Sequence, residues 1–315
     1  MSDSDECVVE GRSIVQNRQL TSRLSLELMG AQAILGPRAR ESDLQRLRSA
    51  GLSIDSSREF HSGPHVDLVI VLGGDGTVHR FLPELIQCGK PILVVPCGSG
   101  NDLARALGIR SIADAVSLAR EFSRDSATIK EIDIGVVTDR CGKETPFCCT
   151  AGVGLDAAAA QFANRMPRWL RAHGGYLIAA LNGVLRSPKI ELTAVSGVGE
   201  IVTPIQQAVC LFTIANTPSF GGGLPIAPAA RLDDGQFDCV FADAMSRARL
   251  AHASLSLLKG THLDLPEVQF MRLASIGLES DPPVKVYADG EFMCETPVRV
   301  RLLPRALRVL DRAPE

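Results

Sequence analysis

Two short glycine-rich segments carry polar residues that a simple chain reversal does not need: Gly73-Gly74-Asp75-Gly76-Thr77 and Gly98-Ser99-Gly100-Asn101-Asp102. Glycine reaches backbone angles closed to other residues and lets main-chain N–H groups approach an anion with no Cβ in the way. Glycine turns alone are weak evidence, because many are only tight connections between packed elements. An acid inside the first and an Asn-Asp pair inside the second make them a candidate nucleotide-phosphate site.

The surrounding sequence supplies elements able to present such a site. Val66 to Leu72 is an apolar, β-branched run broken only by Asp67, the texture of a strand covered on both faces of a parallel sheet. Thr77 is placed to cap a following helix whose apolar face is Phe81, Leu82, Leu85 and Ile86, with its N-terminus toward phosphate. The second segment repeats the plan. Ile92 to Val95 reads as a strand, Pro96 to Gly100 as a turn, and Asn101 or Asp102 as the cap of a helix through Leu103, Ala106 and Leu107 that stops at Gly108. Strands and helices alternating at this spacing predict βαβ units whose turns share the carboxyl edge of one sheet, where such sheets bind ligands.

Together with Pro96-Cys97 before it and Leu103-Ala104-Arg105 after it, the second segment and the Gly73–Thr77 turn resemble the catalytic domain of diacylglycerol kinases and related lipid kinases. Two later blocks extend the resemblance. Asn216, Gly221-Gly222-Gly223 and Pro225 through Gly235 are similar to the family's third block, and Asp289-Gly290-Glu291 to its last. The four blocks run in order from residue 66 to the end. The Gly-Gly-Asp-Gly-Thr element by itself is shared with NAD kinases and phosphofructokinases, so it marks a phosphoryl-transfer superfamily; the later blocks favour the lipid-kinase branch. The sequence also departs from the pattern. His79-Arg80 stands where bacterial members usually carry Asn-Glu, Ser99 where threonine is commoner, and Gly36-Pro37 is the only candidate for the family's early Asn-Pro-glycine turn. The segment before Val66 also reads as one helix short.

The resemblance implies ATP as co-substrate and Mg2+ as cofactor. Gly73, Gly74, Gly76, Thr77, Gly98, Ser99 and Gly100 would cradle the phosphates, with Asn101 and Asp102 fixing the turn or touching phosphate or metal. A bulky residue at Gly74 is expected to fill the phosphate space. Asp75 is the candidate for the catalytic magnesium, an ion that prefers oxygen ligands and retains water. The last block receives the role of proton acceptor, placed on Asp289 with Glu291 as support or alternative; an Asp-Gly hairpin turn would give the same spacing. In Leu232-Asp233-Asp234-Gly235-Gln236 the family implies a structural Mg2+ held by the Asp234 carboxylate and the carbonyls of Arg231 and Gln236. A hairpin without metal is the plain reading of that turn.

At 315 residues and 45% apolar content the chain is long enough for two domains with cores of their own. The expected division is an α/β nucleotide-binding domain over 1–128, with a parallel sheet of the NAD kinase and phosphofructokinase kind, and a mainly antiparallel β-rich lipid-substrate domain over 129–315. Its C-terminal end is free to return to the first domain. Strands are predicted at Ile132–Val137, Phe147–Ala151, Ile190–Val195, Val209–Asn216, Phe237–Ala242, Val284–Ala288 and Val298–Leu303. Helices are predicted from Ser42, from the capping box at Ser111-Ile112-Ala113-Asp114, and at Tyr176–Leu185 and Arg247–Leu258. Residues 1 to about 18 read as a loose or partly helical arm, and Phe162–Arg171, with three arginines and the one tryptophan, as a solvated helix end or an interfacial segment.

A net charge of −3 without a basic tail argues against nucleic acid as a partner. The nine cysteines form no Cys-x-x-Cys pair and the first residues are acidic, so reduced thiols in the cytoplasm are expected, with no zinc-type site. No apolar run approaches the ~20 residues of a membrane-spanning helix. A lipid would be met at the inner membrane surface, peripherally, and a homodimer stays open. The functional expectation is an ATP-dependent lipid kinase converting diacylglycerol to phosphatidic acid. A soluble-metabolite kinase of the NAD-kinase type and an inactive nucleotide- or lipid-binding regulator are its rivals.

Overall fold

The computed structural model describes residues 29–61, 63–155, 189–198 and 201–312. The expected N-terminal arm, the Phe162–Arg171 segment and the Tyr176–Leu185 helix lie outside the described residues. The chain begins with β1 (Gly30–Leu35), α1 (Glu41–Arg48), β2 (Ser53–Ser57), β3 (Leu68–Gly73), α2 (Asp75–Cys88), β4 (Ile92–Pro96), α3 (Asp102–Ala106) and α4 (Ile112–Ser123). Strands β2, β1, β3 and β4 lie side by side in that order and are all parallel. Every residue of β3 except the terminal glycine is apolar and the whole strand is buried, as its uninterrupted hydrophobic run requires.

Register then decides where the site lies. Gly73 pairs with Pro96, so the two glycine turns leave neighbouring strands at the same level of one edge. Gly36 N–H donates to Leu72 C=O at 2.9 Å, which brings the Gly36-Pro37 turn after β1 to that edge as well. No helix connects β2 to β3 among the described residues, in keeping with the shortness of this segment.

Two caps differ from expectation. Helix α2 starts at Asp75 with Gly74 at its N-cap, so Thr77 lies inside the first turn and caps nothing. Asn101 takes left-handed angles (φ 58°) at the N-cap of α3 without a side-chain cap bond. At Ser111 the expectation holds: its hydroxyl accepts from Asp114 N–H and starts α4.

The remainder is antiparallel. It contains β5 (Ile129–Thr138), β6 (Glu144–Phe147), β7 (Thr150–Gly154), β8 (Ile190–Val198), β9 (Ile201–Ala215), β10 (Phe237–Asp243), α5 (Arg247–Lys259), β11 (Val268–Leu273), β12 (Ser275–Ser280), β13 (Lys285–Ala288), β14 (Glu291–Glu295) and β15 (Val298–Leu310). The single strand expected over Phe147–Ala151 is two strands, parted at Cys148-Cys149. β15 pairs antiparallel with β5 and β12, and at Val309↔Ile92 it pairs parallel with β4, joining both halves into one sheet.

Two cores result. One packs α1, α2 and α4 on the parallel strands and takes in Ile132, Ile134, Leu307 and Val309 from the other half. The second fills the antiparallel half, where Phe147 stacks on Phe237 and Phe212 on Phe241 with centroids 5.8 and 5.2 Å apart. An α/β half with a parallel sheet and a β-rich antiparallel half is the class read from the sequence.

Candidate active site

The first glycine turn is locked to the second by Asp75. Its Oδ2 accepts from Asp102 N–H and its Oδ1 from Leu103 N–H, each at 3.1 Å. Those are the first two amides of α3, which would otherwise lack partners, so the cap of α3 comes from another turn. Close approach makes this possible: a Cβ on Gly100 would fall 2.7 Å from Asp75 Oδ2. Asn101 works within its own turn, accepting from Gly98 N–H at 2.7 Å and donating to Gly98 C=O at 3.1 Å.

Asp102 is buried. It accepts from Ser219 Oγ (2.9 Å), Gly222 N–H (2.9 Å), Gly223 N–H (2.8 Å) and the Arg105 guanidinium (2.7 Å). The triple-glycine block thus serves to deliver backbone donors to Asp102; Gly222 and Gly223 hold positive φ (93° and 103°). Asn216, from the same block, donates to the C=O groups of Asp133 and Cys148 at 2.9 and 3.0 Å.

Asp289 enters from the tip of the β13–β14 hairpin, with φ 49° and Gly290 at φ 85°. Its side chain is completely buried. Oδ1 accepts from Cys149 N–H (2.8 Å) and Thr150 N–H (3.3 Å), and Oδ2 accepts from Cys148 N–H (2.8 Å) with His79 Nδ1 at 3.1 Å. This explains the break between β6 and β7, where two amides serve a carboxylate instead of a neighbouring strand. Glu291, two residues on, is exposed, and a Cβ on Gly76 would stand 4.0 Å from its Oε1.

The electrostatics follow from three acids converging. Burial, with the nearby charge of Asp102, pushes Asp75 up to about 6, against the two amide bonds that favour its ionised form. Burial alone would depress His79. The hydrogen bond to Asp289 and the charges of Asp289 and Glu291 outweigh it and hold the imidazole above its ordinary value. The Cys148 and Cys149 thiols lie 3.7 Å apart under the site. The bond from Cys149 lowers Cys148, but burial and the charges of Asp289 and Asp75 lift it to about 12, so it stays a thiol.

Gly73 through Thr77, Gly98 through Gly100 and Asp289 through Glu291 line one cavity of about 470 Å³, with Gly36 and Pro37 on its wall. Arg38, Arg58 and Arg80 also line it. The sequence reading missed these arginines and the His79–Asp289 contact. Nothing in the local pattern marks a residue of α2 as the partner of one in a distant hairpin.

Arg231, Asp234 and Gln236 lie apart, in the turn before β10. Asp234 accepts from Gln236 N–H at 3.2 Å and pairs with the Arg272 guanidinium. Asp233 is held by Lys130 at 3.1 Å and Arg231 at 3.4 Å. Protein cations already pair with both acids of the turn, so we read it as the hairpin without metal, the plain alternative. The Asp75 cluster does fit a hard cation: Asp75 Oδ2 accepts from one amide only, and the charge of Asp102 nearby makes added positive charge favourable.

Comparisons with known proteins agree with this geometry. The diacylglycerol kinase catalytic domain profile matches residues 18–137, and the YegS C-terminal NAD kinase beta sandwich-like domain profile matches residues 149–311. A diacylglycerol kinase of Mycobacterium tuberculosis is 36% identical over 245 residues, covering 78% of this chain and 76% of that protein. Two solved structures share the fold. A putative diacylglycerol kinase from Bacillus anthracis aligns over 90% of this chain and 95% of its own at 22% identity with TM-score 0.70. A yeast NADH kinase aligns over 91% and 84% at 11% identity with TM-score 0.50. With the two glycine turns, the Asp102 clamp and the Asp289–Glu291 hairpin assembled in one place, the chain belongs to the diacylglycerol kinase family.

Proposed function

We propose that this protein transfers the γ-phosphate of ATP to the primary hydroxyl of a lipid, with diacylglycerol as the acceptor and phosphatidic acid as the product. The observation that carries the reading is one cavity bounded on one side by both glycine turns and on the other by the Asp289–Glu291 hairpin. Phosphate charge and a carboxylate are thereby brought to the same space, which phosphoryl transfer requires.

In this reading the backbone amides at Gly74–Gly76, Ser99 and Gly100 hold the phosphate tail at the N-terminus of α2, the Thr77 and Gly98 amides being taken by Gly74 C=O and Asn101 Oδ1. Mg2+, when bound near Asp75, offsets the charge of the phosphate oxygens. The acceptor oxygen attacks the γ-phosphorus, the bond to the β–γ bridging oxygen breaks, ADP leaves, and the hydroxyl proton goes to a carboxylate. We assign that proton to Glu291 rather than Asp289. Both oxygens of Asp289 are filled by three amides and an imidazole in a fully buried position, whereas Glu291 is exposed toward the cavity and has room to move. Asp289 is the post on which Glu291 is mounted.

No helix of the described residues is long and apolar enough to cross a membrane. In our reading the lipid is met at the surface of the bilayer, from the cytoplasmic side. The test is transfer of labelled phosphate from ATP in Mg2+ to mixed micelles holding diacylglycerol, a sphingoid base or ceramide, and in a separate arm to NAD. Labelled phosphatidic acid is the expected product. Labelling of NAD without detergent would move the protein to the soluble-metabolite kinases. ATP binding with no transfer in any arm would make it a regulator.

A further inference from the structure

The contact that joins α2 to the hairpin is the bond between His79 Nδ1 and Asp289 Oδ2, 3.1 Å long and spanning 210 positions of sequence. His79 lies one helical turn past Asp75, and its side chain is 12% exposed. It does not line the cavity. Asp289 on its other side is fastened by the amides of Cys148, Cys149 and Thr150, and its own N–H donates to Thr150 C=O at 2.9 Å. The hairpin tip therefore stays attached to β7 without His79. What His79 adds is its placement relative to α2, whose first turn carries Gly76 opposite Glu291.

We propose that His79 is a positioning residue: by donating from Nδ1 to Asp289 it fixes the Asp289–Glu291 turn over the phosphate-binding end of α2, so that the Glu291 carboxylate and the donor phosphate keep one separation. This rests on the kinase reading given above. Reaction rate depends steeply on that kind of alignment, and a misplacement of about 1 Å can lower it by about 100-fold. Nucleotide affinity does not depend on it, because the two glycine turns are locked to each other through Asp75, and the second is closed on itself by Asn101, without help from His79.

Two substitutions and one spectrum test the inference. His79→Ala removes the donor. Its kcat is expected to fall by about 10- to 100-fold while KM for ATP stays within about 3-fold of wild type. His79→Asn places an amide N–H where Nδ1 stands, and should recover most of the lost kcat despite its smaller side chain and lack of charge. An alanine variant with wild-type kcat, or an asparagine variant as slow as alanine, overturns the assignment; the second outcome would put the role on ring packing or charge.

Nitrogen-15 NMR of the imidazole in the full-length protein reads the contact independently of any acceptor. Nδ1 should carry a proton at pH 8, and Asp289→Asn should shift its resonance. An unprotonated Nδ1 sinks the proposal even if the enzyme is fully active. A protonated Nδ1 in a protein that phosphorylates no lipid keeps the contact and sinks the kinase reading instead.

Discussion

Gly98 and Gly74 are in backbone contact: a Cβ built on Gly98 would fall 2.4 Å from the Cα of Gly74, and one on Gly74 would fall 2.7 Å from the Cα of Gly98. Each glycine makes room for the other. The expectation that bulk at Gly74 fills the phosphate space is thereby corrected, since the first thing it meets is the opposite turn. A Cβ on Gly76, by contrast, has no atom nearer than Glu291 Oε1 at 4.0 Å. Gly98→Ala is expected to lower the Tm by several degrees, consistent with about 1–3 kcal/mol of overpacking. Gly76→Ala should keep the Tm and weaken ATP binding; calorimetry on both variants separates the two effects.

The two acids of the hairpin should part in their behaviour. Glu291→Gln is expected to lower kcat by about 100- to 10,000-fold, the usual range for a general base, with ATP affinity and Tm unchanged. Asp289→Asn should lower kcat and Tm together, because an amide cannot accept from every donor that Asp289 satisfies. Thermal melts beside initial rates check this. Equal Tm for both variants would place the proton acceptor back on Asp289.

Asp102 predicts a purely structural loss. Its carboxylate collects Ser219, Gly222, Gly223 and Arg105 in a buried place. Removing it in Asp102→Ala leaves those donors without a partner and should cost about 3 kcal/mol or more of stability, measured by urea unfolding.

Asp75 and His79 should each withdraw stability as pH rises, in two separate windows. Asp75 has an ordinary value of 3.8 and lies at about 6 in the folded protein, so the folded state holds its proton longer and loses stability between about pH 4 and 6. His79 is raised above its ordinary 6.5, so the stabilisation that its charge adds beside Asp289 is fully present below that value and fades as pH climbs through the higher folded one, while the neutral Nδ1–H still donates. In His79→Asn the upper window should flatten while the lower one persists. Unfolding free energy across pH 4–9 tests both signs.

Mg2+ should act at Asp75 and not at Asp234. With ADP present, Mg2+ at about 100 times its Kd is expected to stabilise the protein by about 2.7 kcal/mol. Asp75→Asn should remove most of that gain. Asp234→Asn should leave it, because Asp234 is already paired with Arg272. A loss of Mg2+ response in the Asp234 variant would restore the second ion.

The sites most legible in the sequence were those whose chemistry is local. Gly73–Thr77 and Gly98–Asp102 could be read because a glycine turn after an apolar strand needs only its immediate neighbours to take shape. The Ser111–Asp114 cap and α5 were readable for the same reason. Phe147–Ala151 reads as one strand in the sequence because its β-prone texture hides that Cys148 and Cys149 turn their amides to Asp289, in a distant hairpin. Thr77 was misplaced because a cap depends on backbone angles that glycine at position 74 supplies instead.

The sequence by itself determined the alternation of strand, turn and helix, and hence that both glycine turns would leave one edge of a parallel sheet; periodicity and glycine placement act over a few residues. Only the tertiary structure decided what each acid does. Asp75 bridges the two turns, Asp102 is a buried clamp, Asp289 is fastened by three amides with His79 beside it, and Glu291 is the exposed acid of the cavity wall. Those roles depend on which donors distant segments bring to each oxygen, and a carboxylate carries no mark in its own neighbourhood of the partners that folding will give it.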